Sequence, residues 1–90
     1  MKPIRNIENL KILRASETGS GMIVEICEGT EEGKLKEGGL YPACRIFEDD
    51  DGKKWIELYP GHEIVRIPLD LFENALRQGR EDSHNEAFYD

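Results

Sequence analysis

The sequence predicts a mainly β domain, namely a small five-stranded barrel or a strongly bent antiparallel sheet, with one short C-terminal helix. Short segments rich in β-branched and aromatic residues alternate with clusters of glycine, aspartate and proline, a pattern typical of strands joined by turns. Only the segment after Pro68 spaces its apolar residues as a helix does. The 90 residues suffice for a single domain with a small core.

The first two strands are predicted at residues 10–15 and 22–27. Residues 10–15 (LKILRA) alternate apolar and basic side chains, as a strand with one buried face does. Residues 17–21 (ETGSG) form a turn cluster, so the two strands make a hairpin. Residues 22–27 (MIVEIC) are nearly all apolar, and this predicts that the second strand is buried on both faces.

A long loop is predicted at residues 28–41 (EGTEEGKLKEGGLY). Its four glycines and four glutamates leave room for no more than a turn or two of regular structure. Loops of this length in a small domain are usually functional or mobile. Glu31 and Glu32 make this segment the acidic loop of the chain.

The central hairpin at residues 43–59 carries the clearest structural signal and contains Trp55, the single tryptophan. A two-residue loop would set apolar side chains opposite charged ones. A three-residue loop at residues 50–52 (DDG), with Gly52 in the left-handed conformation, sets apolar side chains opposite apolar ones and opposite charges facing each other. The predicted cross-strand pairs are Cys44–Leu58, Arg45–Glu57, Ile46–Ile56, Phe47–Trp55 and Glu48–Lys54. One face of the hairpin is therefore aliphatic, and the other is aromatic and charged.

The end of the sheet and the helix are predicted from proline and glycine. Residues 59–62 (YPGH) carry the Pro-Gly signal of a type II turn. Residues 63–67 (EIVRI) form the last strand, and Pro68 ends the sheet because it cannot donate a ladder hydrogen bond. Residues 69–78 (LDLFENALRQ) read as a helix with an apolar stripe, and Gly79 is the expected stop.

The chain divides into one domain, residues 1–79, and an acidic tail, residues 80–90. The composition of the tail (REDSHNEAFYD) is typical of disorder. Residues 87–89 (AFY) could instead dock on this chain or on a neighbour.

Charge limits the classes of partner. The net charge of -7 and the pI near 4.8 argue against general binding to nucleic acid or to anionic membranes. The charge is uneven, because residues 1–20 carry a surplus of +2 and the rest of the chain holds -9. An acidic surface with a basic edge suits a basic protein partner.

The two cysteines, Cys27 and Cys44, stand 17 residues apart. No signal peptide precedes them, and no apolar run is long enough to span a membrane. They are expected to be small buried hydrophobes in a reducing compartment, and the predicted location is the cytoplasm. A disulfide between neighbouring strands stays open at this point.

Three short motifs over residues 10–72 resemble SH3 domains. Residues 35–38 (LKEG) resemble the step after the long RT loop, residues 49–55 (DDDGKKW) resemble the acidic n-Src loop with its tryptophan, and residues 67–68 (IP) resemble the Ile-Pro near the final strand. The resemblance implies an SH3-like barrel. At the place of the family's tyrosine after this proline, the chain has Leu71.

The resemblance also implies a groove for proline-rich peptides, which in that family is lined by a tryptophan, a proline and tyrosines. By position, the resemblance implies that Trp55 and Pro68 line this groove and that Glu31 and Glu32 meet a basic residue of the ligand.

Other chemistry finds weaker support in the residues. Residues 49–52 (DDDG) fail as a calcium loop, because counting back from the glycine puts Phe47 at the first ligand place. Cys27, Cys44, His62 and His84 lack zinc-ligand spacing. No glycine-rich phosphate loop opens a helix. We therefore expect no metal and no cofactor.

These observations predict a non-enzymatic interaction module that binds a basic protein partner, of the kind found among inhibitors or adaptors of phage and mobile elements. One alternative is single-stranded nucleic acid stacked on the aromatic face. A second alternative is an enzyme with a dispersed Cys/His site, such as Cys44 with His62. The predicted partner-binding residues are Phe47, Trp55, Tyr59, Pro68, Glu31, Glu32, Asp49 and Asp50.

Overall fold

The computed structural model describes residues 3–17 and 21–85, which form one five-stranded antiparallel sheet followed by a helix. The elements, in chain order, are β1 (Leu10–Glu17), β2 (Gly21–Glu28), β3 (Cys44–Glu48), β4 (Lys54–Leu58), β5 (Val65–Pro68) and α1 (Leu69–Asp82). Residues 18–20, in the predicted first turn, and residues 87–89, in the predicted tail, lie outside the described residues.

The sheet is open rather than closed. The strand order is β1-β2-β3-β4-β5, so β1 and β5 are its two edges. Closure into a barrel requires hydrogen bonds between the first and last strands, and β5 is a four-residue strand that ends in Pro68. The mainly β prediction and its open-sheet alternative are confirmed, whereas the closed SH3-like barrel is wrong.

The central hairpin has the predicted register. The pairs Cys44–Leu58, Arg45–Glu57, Ile46–Ile56, Phe47–Trp55 and Glu48–Lys54 all form. The Asp49 N–H donates to the Lys53 carbonyl at 2.8 Å and closes a three-residue loop. Gly52 has a φ of 82°, which only glycine adopts without strain.

The register divides the sheet into two faces, because successive side chains of a strand point to opposite sides. What we call the aliphatic face carries Leu10, Ile12, Arg14, Ser16, Met22, Val24, Ile26, Glu28, Cys44, Ile46, Glu48, Lys54, Ile56, Leu58, Val65 and Ile67. What we call the aromatic face carries Lys11, Leu13, Ala15, Ile23, Glu25, Cys27, Arg45, Phe47, Trp55, Glu57, Arg66 and Pro68.

The core is small. Among the described residues, the buried apolar side chains are Ile23 and Cys27 on the aromatic face and Ile56 on the aliphatic face. Burial of β2 on both faces was wrong, since Met22 is 60% exposed. The cause is the position of α1, which packs on β4 and β5 and leaves the aliphatic face over β1 and β2 uncovered.

Two details after the central hairpin differ from prediction. Gly61 has a φ of 146°, far from the roughly 80° of a type II turn, so that turn is of another kind. The last strand begins at Val65 and takes in Pro68, which stands opposite Trp55 as its final residue. A proline is tolerated there because β5 is an edge strand.

The helix begins at Leu69 as predicted but runs through Gly79 to Asp82. A glycine ends a helix where the backbone turns left-handed, and Gly79 stays helical. The helix closes at Ser83, whose N–H donates to the Gly79 carbonyl at 2.9 Å.

Candidate interaction site

Three of the predicted contact residues form one row on the aromatic face. Phe47 on β3 stands opposite Trp55 on β4, and Trp55 stands opposite Pro68 on β5. All three side chains are half-buried, so each keeps some surface in solvent. We call these residues the aromatic row. Because the row crosses three hydrogen-bonded strands, its spacing is set by the sheet.

The Trp55 indole is held by the turn that precedes β4. Its Nε1–H donates to Asp49 Oδ2 at 2.9 Å. Asp49 Oδ1 accepts from the backbone N–H groups of Asp51 and Lys53, both at 2.9 Å. The hydrogen bond from Trp55, joined by those from the backbone, lowers the pKa of Asp49. Asp49 is thus the residue that builds the turn, whereas Asp50 and Asp51 point their charges to solvent.

Cations of the same chain lie over both rings of the row. The Lys53 ammonium is 4.5 Å from the centre of the Trp55 ring, and the Arg66 guanidinium is 5.1 Å from that of Phe47. These distances are within the range of cation–π attraction. The two rings of the aromatic row therefore each lie beneath a cation of the same chain.

A buried carboxylate lies next to the row. Glu57 is 4% exposed, and its carboxylate accepts from the Tyr59 hydroxyl at 2.8 Å and from Arg66 Nε at 2.9 Å. Arg45 Nη1 stands 3.7 Å from the same carboxylate. Burial raises the pKa of Glu57, but these donors and charges outweigh it and the pKa is lowered overall. Burial and the bond to Glu57 raise the pKa of Tyr59 to about 12.

The cluster of Glu57, Tyr59, Arg45 and Arg66 is a structural unit in which two guanidinium groups and one hydroxyl surround a single carboxylate. Tyr59 is a predicted partner contact, and its hydroxyl donates to the Glu57 carboxylate while the residue stays half-buried.

The acidic loop lies at the other end of the sheet. Residues 29–43 join the end of β2 to the start of β3, while residues 49–53 join β3 to β4. Because β2 and β3 are antiparallel, with Val24 opposite Ile46, roughly 20 Å of strand separates the two segments. The structure therefore does not bring Glu31 and Glu32 together with Asp49, Asp50 and the aromatic row.

The loop is organised by Glu28, a residue that sequence reasoning missed. Glu28 is 3% exposed and accepts from Arg5 Nη1 at 2.7 and 2.6 Å and from the Leu40 N–H at 3.1 Å. Lys36 Nζ is 3.1 Å from its carboxylate. The hydrogen bonds from Arg5 first, and then that from Leu40, lower the pKa of Glu28 to about 2.

The close approach of the loop to the Glu28 carboxylate requires a glycine, and the loop sequence contains one at position 39. A Cβ on Gly39 would lie 2.8 Å from Glu28 Oε1, so only glycine lets the chain approach the carboxylate this closely. Glu31 and Glu32 are exposed on the outside of this closed loop.

The chemistry of the cysteines and of metals can be stated for the described residues. Cys27 and Cys44 are both free, and burial raises the pKa of each thiol. A raised pKa disfavours the nucleophilic thiolate. Residues 3–17 and 21–85 contain no group of three or more His, Cys, Asp or Glu side chains placed to hold a metal ion.

In the same part of the chain, no helix combines the length and the apolar character needed to cross a membrane. Comparison with protein families, with curated proteins and with solved structures found no match to this chain.

Proposed function

We propose that this chain is a non-enzymatic interaction module that binds a basic segment of a protein partner on the aromatic row and the adjoining aspartate turn. The observation that supports this most is the juxtaposition of Phe47, Trp55 and Pro68 with the exposed charges of Asp50 and Asp51. The rings supply apolar contact area, and the carboxylates supply attraction and orientation.

A basic ligand suits the chemistry of the row. Lys53 and Arg66 already lie over the two rings, so a lysine or arginine of a partner can take the place of Lys53 over the indole. The displaced ammonium remains close to the aspartates of the turn. Such an exchange costs little, because one cation–π contact replaces another.

Glu31 and Glu32 take part only if the partner is large. Their loop is separated from the aspartate turn by roughly 20 Å of strand, so a short peptide reaches one site and a folded protein reaches both. An inhibitor or adaptor that covers a basic surface, as in phage and mobile elements, would use both. We place the protein in the cytoplasm, in keeping with its two free cysteines.

The test is a titration with a short Lys/Arg-rich peptide, followed by the emission of the single tryptophan at low salt. We expect saturable binding by the wild type and a loss of affinity of roughly tenfold in the Asp50→Lys/Asp51→Lys variant, since two attractions become repulsions. The matched control is Glu31→Lys/Glu32→Lys, which makes the same change of charge at the far end. It should leave the affinity within about a factor of two.

Equal losses in the two variants would mean general charge attraction, and an unchanged emission in the wild type would mean no site at Trp55. Either result contradicts the proposal.

Single-stranded nucleic acid on the same face is a second candidate. It is favoured by Lys53 and Arg66 beside the rings and by Arg45 nearby on the same face. A titration with an oligothymidylate at low salt should then quench Trp55 and weaken as salt rises. An emission that stays constant would remove this candidate.

A further inference from the structure

The aliphatic face is uncovered over β1 and β2. Ile12 is 61% exposed and Met22 is 60% exposed, and Leu10 beside Ile12 is also exposed. Ile12 stands opposite Ile26 and Met22 opposite Ser16, so these side chains belong to one continuous patch. Two adjacent strands with an apolar face in solvent normally have a layer packed on them.

The helix has an apolar stripe that runs beyond the sheet. Leu69 and Phe72, at its start, are half-buried. Leu76 lies on the same stripe one turn later and is 58% exposed, and none of the residues of α1 is fully buried. A single helix of this length is marginal in water unless its apolar face is packed. The second half of α1 therefore lacks its packing partner within the described chain.

The charges of the two uncovered surfaces are opposite in sign. The second half of the helix, residues 73–82, carries Glu73, Glu81 and Asp82 against Arg77 and Arg80, a net charge of -1. On the aliphatic face over β1 and β2 the exposed charge is that of Arg14, next to Ile12, because Glu28 is buried and paired with Arg5 and Lys36. The acidic second half of the helix and this basic position are complementary if they come from two copies of the chain.

We propose that a second copy of this chain covers the aliphatic face, with the second half of α1 of each copy lying across β1 and β2 of the other. The exchange is reciprocal, as a two-fold symmetric dimer requires. Residues 73–82 of the helix are about 15 Å long, which is enough to span β1 and β2 at a strand spacing of about 4.8 Å. A groove of about 240 Å³ between Met22, Val24, Ile46 and Leu69 continues this surface.

The experiment is sedimentation equilibrium of the full chain up to about 1 mM, a range that detects even weak association. We expect the wild type to form a dimer. Ile12→Glu and Leu76→Glu should each raise the dissociation constant at least about tenfold. Both side chains are exposed in the single copy, so these variants should keep the wild-type circular dichroism spectrum.

Ile64→Glu is the matched control. Ile64 is 62% exposed in the connection between β4 and β5, outside both surfaces, and the same substitution there should leave dimerisation unchanged. A wild type that stays monomeric at about 1 mM would overturn the proposal and leave the face to a different protein. Unchanged dimerisation of both test variants would overturn it as well.

Cross-linking tests the arrangement itself. In a Cys44→Ser background, a chain with Ile12→Cys is mixed with a chain with Leu76→Cys under mild oxidation. The proposal expects the mixed disulfide to exceed either homodimer. A predominance of the Ile12→Cys homodimer would show β1 pairing with β1 and would overturn the helix-on-sheet contact.

Discussion

Two buried carboxylates, Glu28 and Glu57, organise the polar contacts of this chain. Each is almost fully buried, and each is surrounded by cations and hydrogen-bond donors from distant parts of the sequence. A buried charge is tolerated only when it is paired in this way. The partners of Glu28 join the N-terminal segment and the acidic loop, and those of Glu57 join three strands.

Replacement of Glu28 by Gln should remove one part of the pH dependence of stability. The folded pKa of about 2 is below the ordinary value of 4.5, so Glu28 contributes stability that is present above pH 4.5 and is lost as the pH falls toward 2. We expect the melting temperature of Glu28→Gln to be lower than that of the wild type at pH 7. The gap should close as the pH falls through this window.

Glu31→Gln, an exposed glutamate of the same loop, is the control for Glu28 and should follow the wild type at every pH. A gap for Glu28→Gln that stays constant from pH 7 to pH 3 would contradict the prediction.

Tyr59 should make stability depend on pH in the opposite direction, with stability lost as the pH rises into the alkaline range. Its pKa is raised from 10 to about 12, so its contribution to stability is complete below pH 10 and is lost as the pH rises to about 12. We expect Tyr59→Phe to lose about 1.5 kcal/mol at pH 7, because the Glu57 carboxylate loses a donor. Absorbance near 295 nm should show one phenol ionising later than the others.

Tyr41→Phe is the matched control, since Tyr41 is exposed. If that late ionisation persists in Tyr59→Phe, the raised pKa belongs to another tyrosine.

Among the elements, the helix and the central turn use glycine in opposite ways. Gly79 lies inside α1 with open space around its Cα, while Gly52 has a positive φ in the β3–β4 turn. A methyl group on Gly79 restricts only the unfolded chain, and one on Gly52 strains the folded chain.

We therefore expect Gly79→Ala to raise the free energy of unfolding by about 0.5–1 kcal/mol. Gly52→Ala should lower it by about 1 kcal/mol. Urea denaturation of the two variants measures both effects. Destabilisation by Gly79→Ala would mean that α1 does not continue through this position.

At the scale of the whole molecule, the small core and the uncovered aliphatic face over β1 and β2 point to stability that depends on association. If the dimer forms as proposed, the melting temperature rises with protein concentration, because association stabilises the folded state by mass action. At a concentration 100 times the dissociation constant the gain is about 2.7 kcal/mol, which corresponds to roughly 10 °C or more for a domain of this size.

Scanning calorimetry across a hundredfold range of concentration measures this rise. Ile12→Glu should show a smaller rise of the melting temperature over the same range, because its dimer is weaker, whereas the control Ile64→Glu should behave as the wild type. A wild-type melting temperature independent of concentration would contradict the prediction.

The sequence by itself determined the strands, the register of the central hairpin and the start of the helix. These features depend on residues close together in the chain: alternating side chains, the cross-strand pairs around residues 50–52, and Pro68 before Leu69. The adjacency of Phe47 and Trp55 in the candidate site was predictable for the same reason.

Only the tertiary structure decided that the sheet stays open, that Glu31 and Glu32 lie far from the aspartate turn, and that β2 keeps an exposed face. It also decided that Glu28 and Glu57, among the acidic residues whose burial the structure describes, are the buried ones. These outcomes depend on where α1 and the loop of residues 28–41 pack against distant strands. Burial is a property of that packing, and short-range patterns of residues do not encode it.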